Sequence, residues 1–155
     1  MSMTAKPARA KVPAFDAQAI ARAEAALQAL SNEFGTWMEE EVVKLEAAFA
    51  HTKGEKFASV SLDALHTRAH DVKGLGATYE FPLITRLAGA LCRLLETPER
   101  RGLAAQNAHL IGAAVGAIRA SIRDNIRNDQ HAIGRVLAAE LDASVDRALA
   151  ETAHS

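Results

Sequence analysis

Three closely spaced residues, His70, Lys73 and Gly74, have types and spacing that suit phosphoryl transfer on a histidine. An imidazole with its ordinary pKa of about 6.5 keeps a neutral, nucleophilic ring nitrogen at cellular pH. A lysine three positions on lies one helical turn away, where its ammonium offsets charge on the phosphoryl oxygens. Glycine inside a helix costs about 1 kcal/mol relative to alanine, and clearance for a phosphoryl group and a partner is a reason to keep Gly74.

The helix that carries these residues must hold His70 away from the core. Apolar positions step by three and four residues along one stripe, which consists of Leu62, Leu65, Ala69, Val72 and Gly76. At the helical rotation per residue, His70 lies roughly 120° from the middle of that stripe. The same side of the helix carries His66, Lys73, Gly74 and Ala77, and we call it the His70 face. We expect water and a partner to reach it.

His66 admits a second interpretation, because two histidines four residues apart on a helix can bind Zn²⁺. No glutamate follows His66 as in H-E-x-x-H, and the sequence offers no convincing third ligand. We therefore predict no metal site and interpret His66 as a neighbour that modulates His70 or contacts a partner.

Amphipathic periodicity recurs from about Phe15 to Leu149, and no alternation typical of β-strands interrupts it. The pattern predicts helices over about 15–30, 33–52, 55–77, from Pro82 to Thr97, and after Gly102, with a break at Asn128. The first two are separated at Ser31-Asn32, which can cap a helix, and by Gly35. Such helices with short connections favour an antiparallel bundle. The predicted organisation is a disordered lead-in over 1–13, a bundle over 14–128 and a C-terminal helical extension over 129–155.

Composition excludes several classes of protein. The formal net charge is -1 and aromatic residues make up 5% of the chain, so neither a basic field nor a stacking platform for nucleic acid is present. No apolar run approaches membrane-spanning length, and the N-terminus lacks the apolar segment of a signal peptide, so we expect a cytoplasmic protein. Cys92, the single cysteine, is expected to be a small buried apolar residue.

The run His70-Asp71-Val72-Lys73-Gly74-Leu75-Gly76-Ala77 is followed by Leu87, Leu91 and Leu94-Leu95-Glu96. Together they resemble the histidine phosphotransfer (HPt) family, whose pattern is H-x-x-K-G, small residues, and an apolar helix that ends in Leu-Glu. The resemblance covers roughly residues 33–125. The segment Thr78-Tyr79-Glu80-Phe81-Pro82 departs from it, since many members have polar residues and another glycine there.

The resemblance implies an all-α fold, an antiparallel four-helix bundle of HPt type, here with an additional N-terminal helix and a C-terminal helical extension. It implies that His70 is the phosphorylated nucleophile, Lys73 the phosphate-proximal cation and Gly74 the clearance position. Its partners would be response-regulator receiver domains and a hybrid or sensor histidine kinase. No cofactor would be bound, because the Mg²⁺ is carried by the partner receiver domain.

The sequence therefore predicts a phosphoryl carrier of a two-component phosphorelay. It predicts no independent kinase activity, because the chain has no Gly-rich nucleotide-binding loop. The alternative is a helical interaction module that binds signalling partners without phosphotransfer. The basic positions Arg119, Arg123 and Arg127 fit either a solvated face paired with acids or a docking ridge for an acidic receiver. The C-terminal helix fits either packing on the bundle or a homodimer.

Overall fold

The computed structural model describes residues 5–128 and 130–153, and the side chains of 16–30, 32–128 and 130–151. Within these ranges every regular element is an α-helix, which confirms the all-α class. The helices are α1 (Ala5–Gly54), α2 (Ser59–Thr78), α3 (Pro82–Leu94), α4 (Pro98–Gly102), α5 (Ala108–Arg123) and α6 (Ala132–Ala153). No described helix is long and apolar enough to cross a membrane.

Helix α1 is continuous through Ser31-Asn32 and Gly35, so the prediction of two helices in this region is wrong. Strong helix formers such as Ala, Leu and Glu flank these weak positions and outweigh their propensity. The Thr36 hydroxyl also donates a hydrogen bond to the Asn32 carbonyl within the helix (3.2 Å). α1 takes in residues 5–13, which the sequence assigns to the lead-in; residues 1–4 lie outside the described part.

The chain divides into two compact units, Met1–Thr36 and Trp37–Ser155. The first consists, where described, of the N-terminal part of α1, and it exposes Ile20, Leu27 and Leu30. The second contains the rest of α1 and helices α2 to α6. It holds His70 and almost all of the buried apolar side chains.

Helix α3 is the centre of the second unit, because it packs against α2, α5 and α6. Pro82 begins it, in the first turn, where a proline costs no helical hydrogen bond. Most of its side chains are buried: Leu83, Ile84, Leu87, Ala88, Ala90, Leu91, Cys92 and Leu94. A helix buried on nearly all sides gives α2 a rigid backing.

Helix α6 packs on α3 and α5 of the same unit, and its residues Ala138, Leu141 and Val145 are buried. Its outer edge is tied to α3 by ion pairs from Arg86 to Asp142 (2.7 Å) and from Arg93 to Asp146. Packing, one of the two roles left open for this helix, is therefore observed, and the homodimer stays a prediction. Ile133 and Val136 at its start stay exposed.

Of the neighbouring residues Trp37 and Met38, the first lies at the surface and the second in the core. The apolar periodicity predicts that both are core residues, and Met38 is fully buried, but Trp37 is 44% exposed. The Trp37 ring lies edge-on to the Tyr79 ring, with 6.1 Å between their centroids. Adjacent positions on a helix point about 100° apart, and Trp37 lies beside the buried stripe of α1 that contains Met38.

Candidate functional site around His70

Helix α2 presents the two faces that the periodicity predicts. All five positions of the predicted stripe, Leu62, Leu65, Ala69, Val72 and Gly76, are buried. On the opposite side, His70, Lys73, Gly74 and Ala77 are exposed, and His66 is half-buried. The core contacts of one face therefore hold the His70 face toward solvent.

The end of α2 is fixed by a tight turn into α3. The amide of Tyr79 donates to the Leu75 carbonyl (3.0 Å), and the amide of Phe81 donates to the Gly76 carbonyl (2.7 Å). Glu80 between them has a φ of 57°, in the left-handed region that such helix ends use. This is the segment that departs from the HPt pattern, and the structure shows that it closes without a glycine at the left-handed position.

The two glycines of α2 differ in what surrounds them. A Cβ built on Gly76 would lie 2.6 Å from the Thr85 Oγ1 and 2.9 Å from its backbone nitrogen, so close packing of α2 on α3 explains this glycine. A Cβ built on Gly74 would have no atom within 4 Å. No contact inside the described chain requires the glycine next to His70.

Lys73 extends from α2 across α3. Its Cε lies 3.9 Å from the position of a Cβ built on Gly89, so the absence of a side chain there leaves a path for the lysine. The ammonium is close enough to Cys92 to influence its pKa. Burial nevertheless raises the pKa of the Cys92 thiol, with Glu96 acting in the same direction and Lys73 opposing both. Cys92 is therefore a protonated, buried thiol, as expected.

His66 lies one turn before His70 and has a lowered pKa. The main cause is burial, which disfavours the charged imidazolium, and the charges of Arg101 and His70 act in the same direction. Glu96 and Asp63 oppose them. A half-buried imidazole in this environment is neutral at cellular pH.

Arg101 is a member of this cluster that the sequence analysis missed. Its guanidinium forms an ion pair with Asp63 of α2 and donates a hydrogen bond to the Leu95 carbonyl (2.8 Å). It is held there by α4, whose N-cap Thr97 accepts a hydrogen bond from the Arg100 amide (3.2 Å). A threonine followed by proline is a recognisable start of a helix, but its meeting with α2 depends on tertiary packing.

The three arginines of α5 and its C-terminal loop do not form a free basic ridge. Arg119 binds Glu39 (2.6 Å) and Glu46 (2.5 Å) of α1, and these hydrogen bonds raise its pKa. Arg123 pairs with the neighbouring Asp124 (3.2 Å), and Arg127 lies over the Phe81 ring at 5.1 Å from its centroid. Pairing within the chain is the interpretation that the structure supports.

The described residues contain no group of three or more histidines, cysteines or carboxylates that could hold a metal ion. Comparison with known proteins assigns the chain to no family. No family model, curated protein or solved structure matches the chain.

Proposed function

We propose that the protein is a histidine phosphotransfer protein that carries a phosphoryl group on His70 between receiver-domain aspartates, or from a kinase to a receiver. The observation that carries the proposal is the open space at Gly74 directly beside an exposed His70. No contact within the described chain explains why a destabilising glycine stands at this position of the helix. Space for an incoming protein surface and a phosphoryl group would explain it.

The transfer step needs only a few groups from this chain. A lone pair on a His70 ring nitrogen attacks the phosphorus of a receiver's phosphoaspartate, a P–N bond forms, and the aspartate leaves as a carboxylate when its P–O bond breaks. The attacking nitrogen carries no proton, so the ring becomes positively charged until the N–H proton of its other nitrogen is released to solvent. The reverse sequence gives the phosphoryl group to the next aspartate.

Lys73 supports this step electrostatically. Charge spreads over the equatorial oxygens in phosphoryl transfer, and a nearby ammonium stabilises it. Lys73 is exposed one turn beyond His70, and its Cε lies 3.9 Å from the position of a Cβ built on Gly89. In the proposed complex the receiver brings the Mg²⁺ and the acceptor aspartate, so the carrier needs no metal of its own.

The proposal is tested by incubating the 155-residue chain with isotopically labelled phospho-receivers and with sensor or hybrid kinases of its source organism. We expect label that is stable in alkali and labile in acid to appear on this chain, and then to pass to a second receiver. Binding of receivers without any transfer of label would contradict the proposal and favour the interaction module. Labelling from ATP alone would contradict the prediction that the protein has no kinase activity of its own.

A further inference from the structure

We propose that His66 takes up a proton when His70 is phosphorylated, so that its imidazolium and the Lys73 ammonium flank the phosphoryl group from opposite sides. This inference rests on the proposed function, because it takes His70 as the phosphorylated residue. It assigns His66 as a positioning residue that senses the phosphoryl group and couples its presence to pH.

The first support is the geometry of α2. Residues four apart on a helix are neighbours on its surface, with about 5–6 Å between their Cβ atoms. Cα–Cβ bonds tilt toward the helix N-terminus, so the side chain at position 70 covers the preceding turn, where His66 lies. Lys73 approaches from the following turn and from the α3 side. A phosphoryl group on His70 is therefore placed between the two.

The second support is the set of charges that surround His66. Asp63 and His70 face it from α2, Arg101 from α4, and Glu96 from the loop between α3 and α4. Arg101 is itself paired with Asp63, which reduces the field of both. Burial and the cationic groups keep the imidazole neutral while His70 carries no phosphoryl group.

Phosphorylation reverses this balance. A phosphoryl group brings between one and two negative charges to within a helical turn of His66, which favours the imidazolium. The proton comes from water, and no other group needs to change its charge. Because the two events favour each other, linkage requires that a protonated His66 also stabilises phosphorylated His70. The phosphorylated state is therefore favoured as the pH falls from about 7.5 to about 6.

The direct test is an NMR titration of the histidine side chains in the full chain, before and after phosphorylation with phosphoramidate. This reagent needs no protein partner: its P–N bond breaks, ammonia leaves, and the phosphoryl group bonds to the His70 ring. The variant His66→Gln assigns the His66 signal. We expect the His66 titration midpoint to rise by about one pH unit on phosphorylation.

Two exposed histidines on other elements, His109 on α5 and His131 before α6, serve as internal controls in the same spectra. Their midpoints should stay where they are. A His66 midpoint that does not move, or that moves only as much as those of His109 and His131, would overturn the proposal. A purely structural role for His66 predicts that unchanged result.

A second variant keeps the inference testable independently of the chemistry at His70. His70→Glu places a fixed negative charge at the same position, and it should raise the His66 midpoint by a smaller amount than phosphorylation does. An unchanged midpoint in this variant would also overturn the proposal. If phosphorylation of His70 shifts the His66 titration midpoint but no receiver accepts the phosphoryl group, only the proposed function is contradicted.

Discussion

Gly76 of α2 and Thr85 of α3 meet so closely that a Cβ on the glycine would lie 2.6 Å from the threonine Oγ1. The Thr85 hydroxyl also donates to the Lys73 carbonyl at 3.4 Å. These contacts hold α3 against the turn of α2 that carries Lys73 and Gly74. The packing of the two helices therefore fixes the position of Lys73 and Gly74 relative to the core.

Gly76→Ala should destabilise the protein by about 2 kcal/mol, because the new methyl group has to displace a backbone segment of α3. The backbone nitrogen of Thr85, 2.9 Å from the built Cβ, cannot rotate away as a side chain would. Urea unfolding followed by circular dichroism measures the change. Stability equal to that of the wild type would show that the helices are not in the close contact described.

Gly74→Ala is the matched control, and we expect the opposite sign. The added methyl group meets no atom within 4 Å and replaces glycine in a helix interior, so stability should rise by about 1 kcal/mol.

Gly74→Gln should leave the fold intact and slow phosphoryl transfer from a receiver, because its side chain fills the clearance beside His70. Unimpaired transfer in Gly74→Gln would contradict the clearance role.

Arg119→Met should lower the free energy of unfolding by about 1 kcal/mol, the magnitude of a partly exposed ion-pair network. The substitution leaves Glu39 and Glu46 of α1 without their shared partner on α5. Arg123→Met is the comparison, since its pair with Asp124 joins adjacent residues and links no helices. Equal losses in the two variants, measured in the same urea titration, would contradict the bridging role of Arg119.

His66 should make stability depend on pH. Its pKa in the folded state is lower than the ordinary value of 6.5 that it regains on unfolding. The unfolded chain therefore binds more protons as the pH falls through 6.5, and stability that is fully present above that pH is lost toward the lower folded-state pKa. His66→Gln should flatten the decline in urea midpoint between pH 7.5 and 5; an equally steep decline would contradict the assignment.

Much of the site could be predicted from the sequence because it depends on one helix. The periodicity of Leu62, Leu65, Ala69, Val72 and Gly76 is a local property, and it fixes the direction of every other side chain on α2. The exposure of His70 and Lys73 follows from it. Pro82 marked the start of α3 for the same reason, since proline has a preferred place in the first helical turn.

The rest depends on contacts between elements that are distant in sequence. The weak helix formers Ser31 and Gly35 suggested a break, but their helix-forming neighbours carry α1 through them. Gly76 and Gly74 look alike in the sequence, and only the approach of Thr85 separates a packing glycine from an unexplained one. The ion pair between Arg101 and Asp63 requires α4 to lie near α2, which no spacing in the sequence encodes.

Whether His70 carries the phosphoryl group is tested most directly by locating the label on the 155-residue chain. Wild type, His70→Gln and His109→Gln are incubated with the same labelled phospho-receiver, and acid-labile, alkali-stable label is quantified and mapped by peptide mass spectrometry. We predict phosphorylated His70 in wild type and His109→Gln, and no label in His70→Gln, whose circular dichroism stays that of a folded helical protein. Undiminished label in His70→Gln would contradict the account.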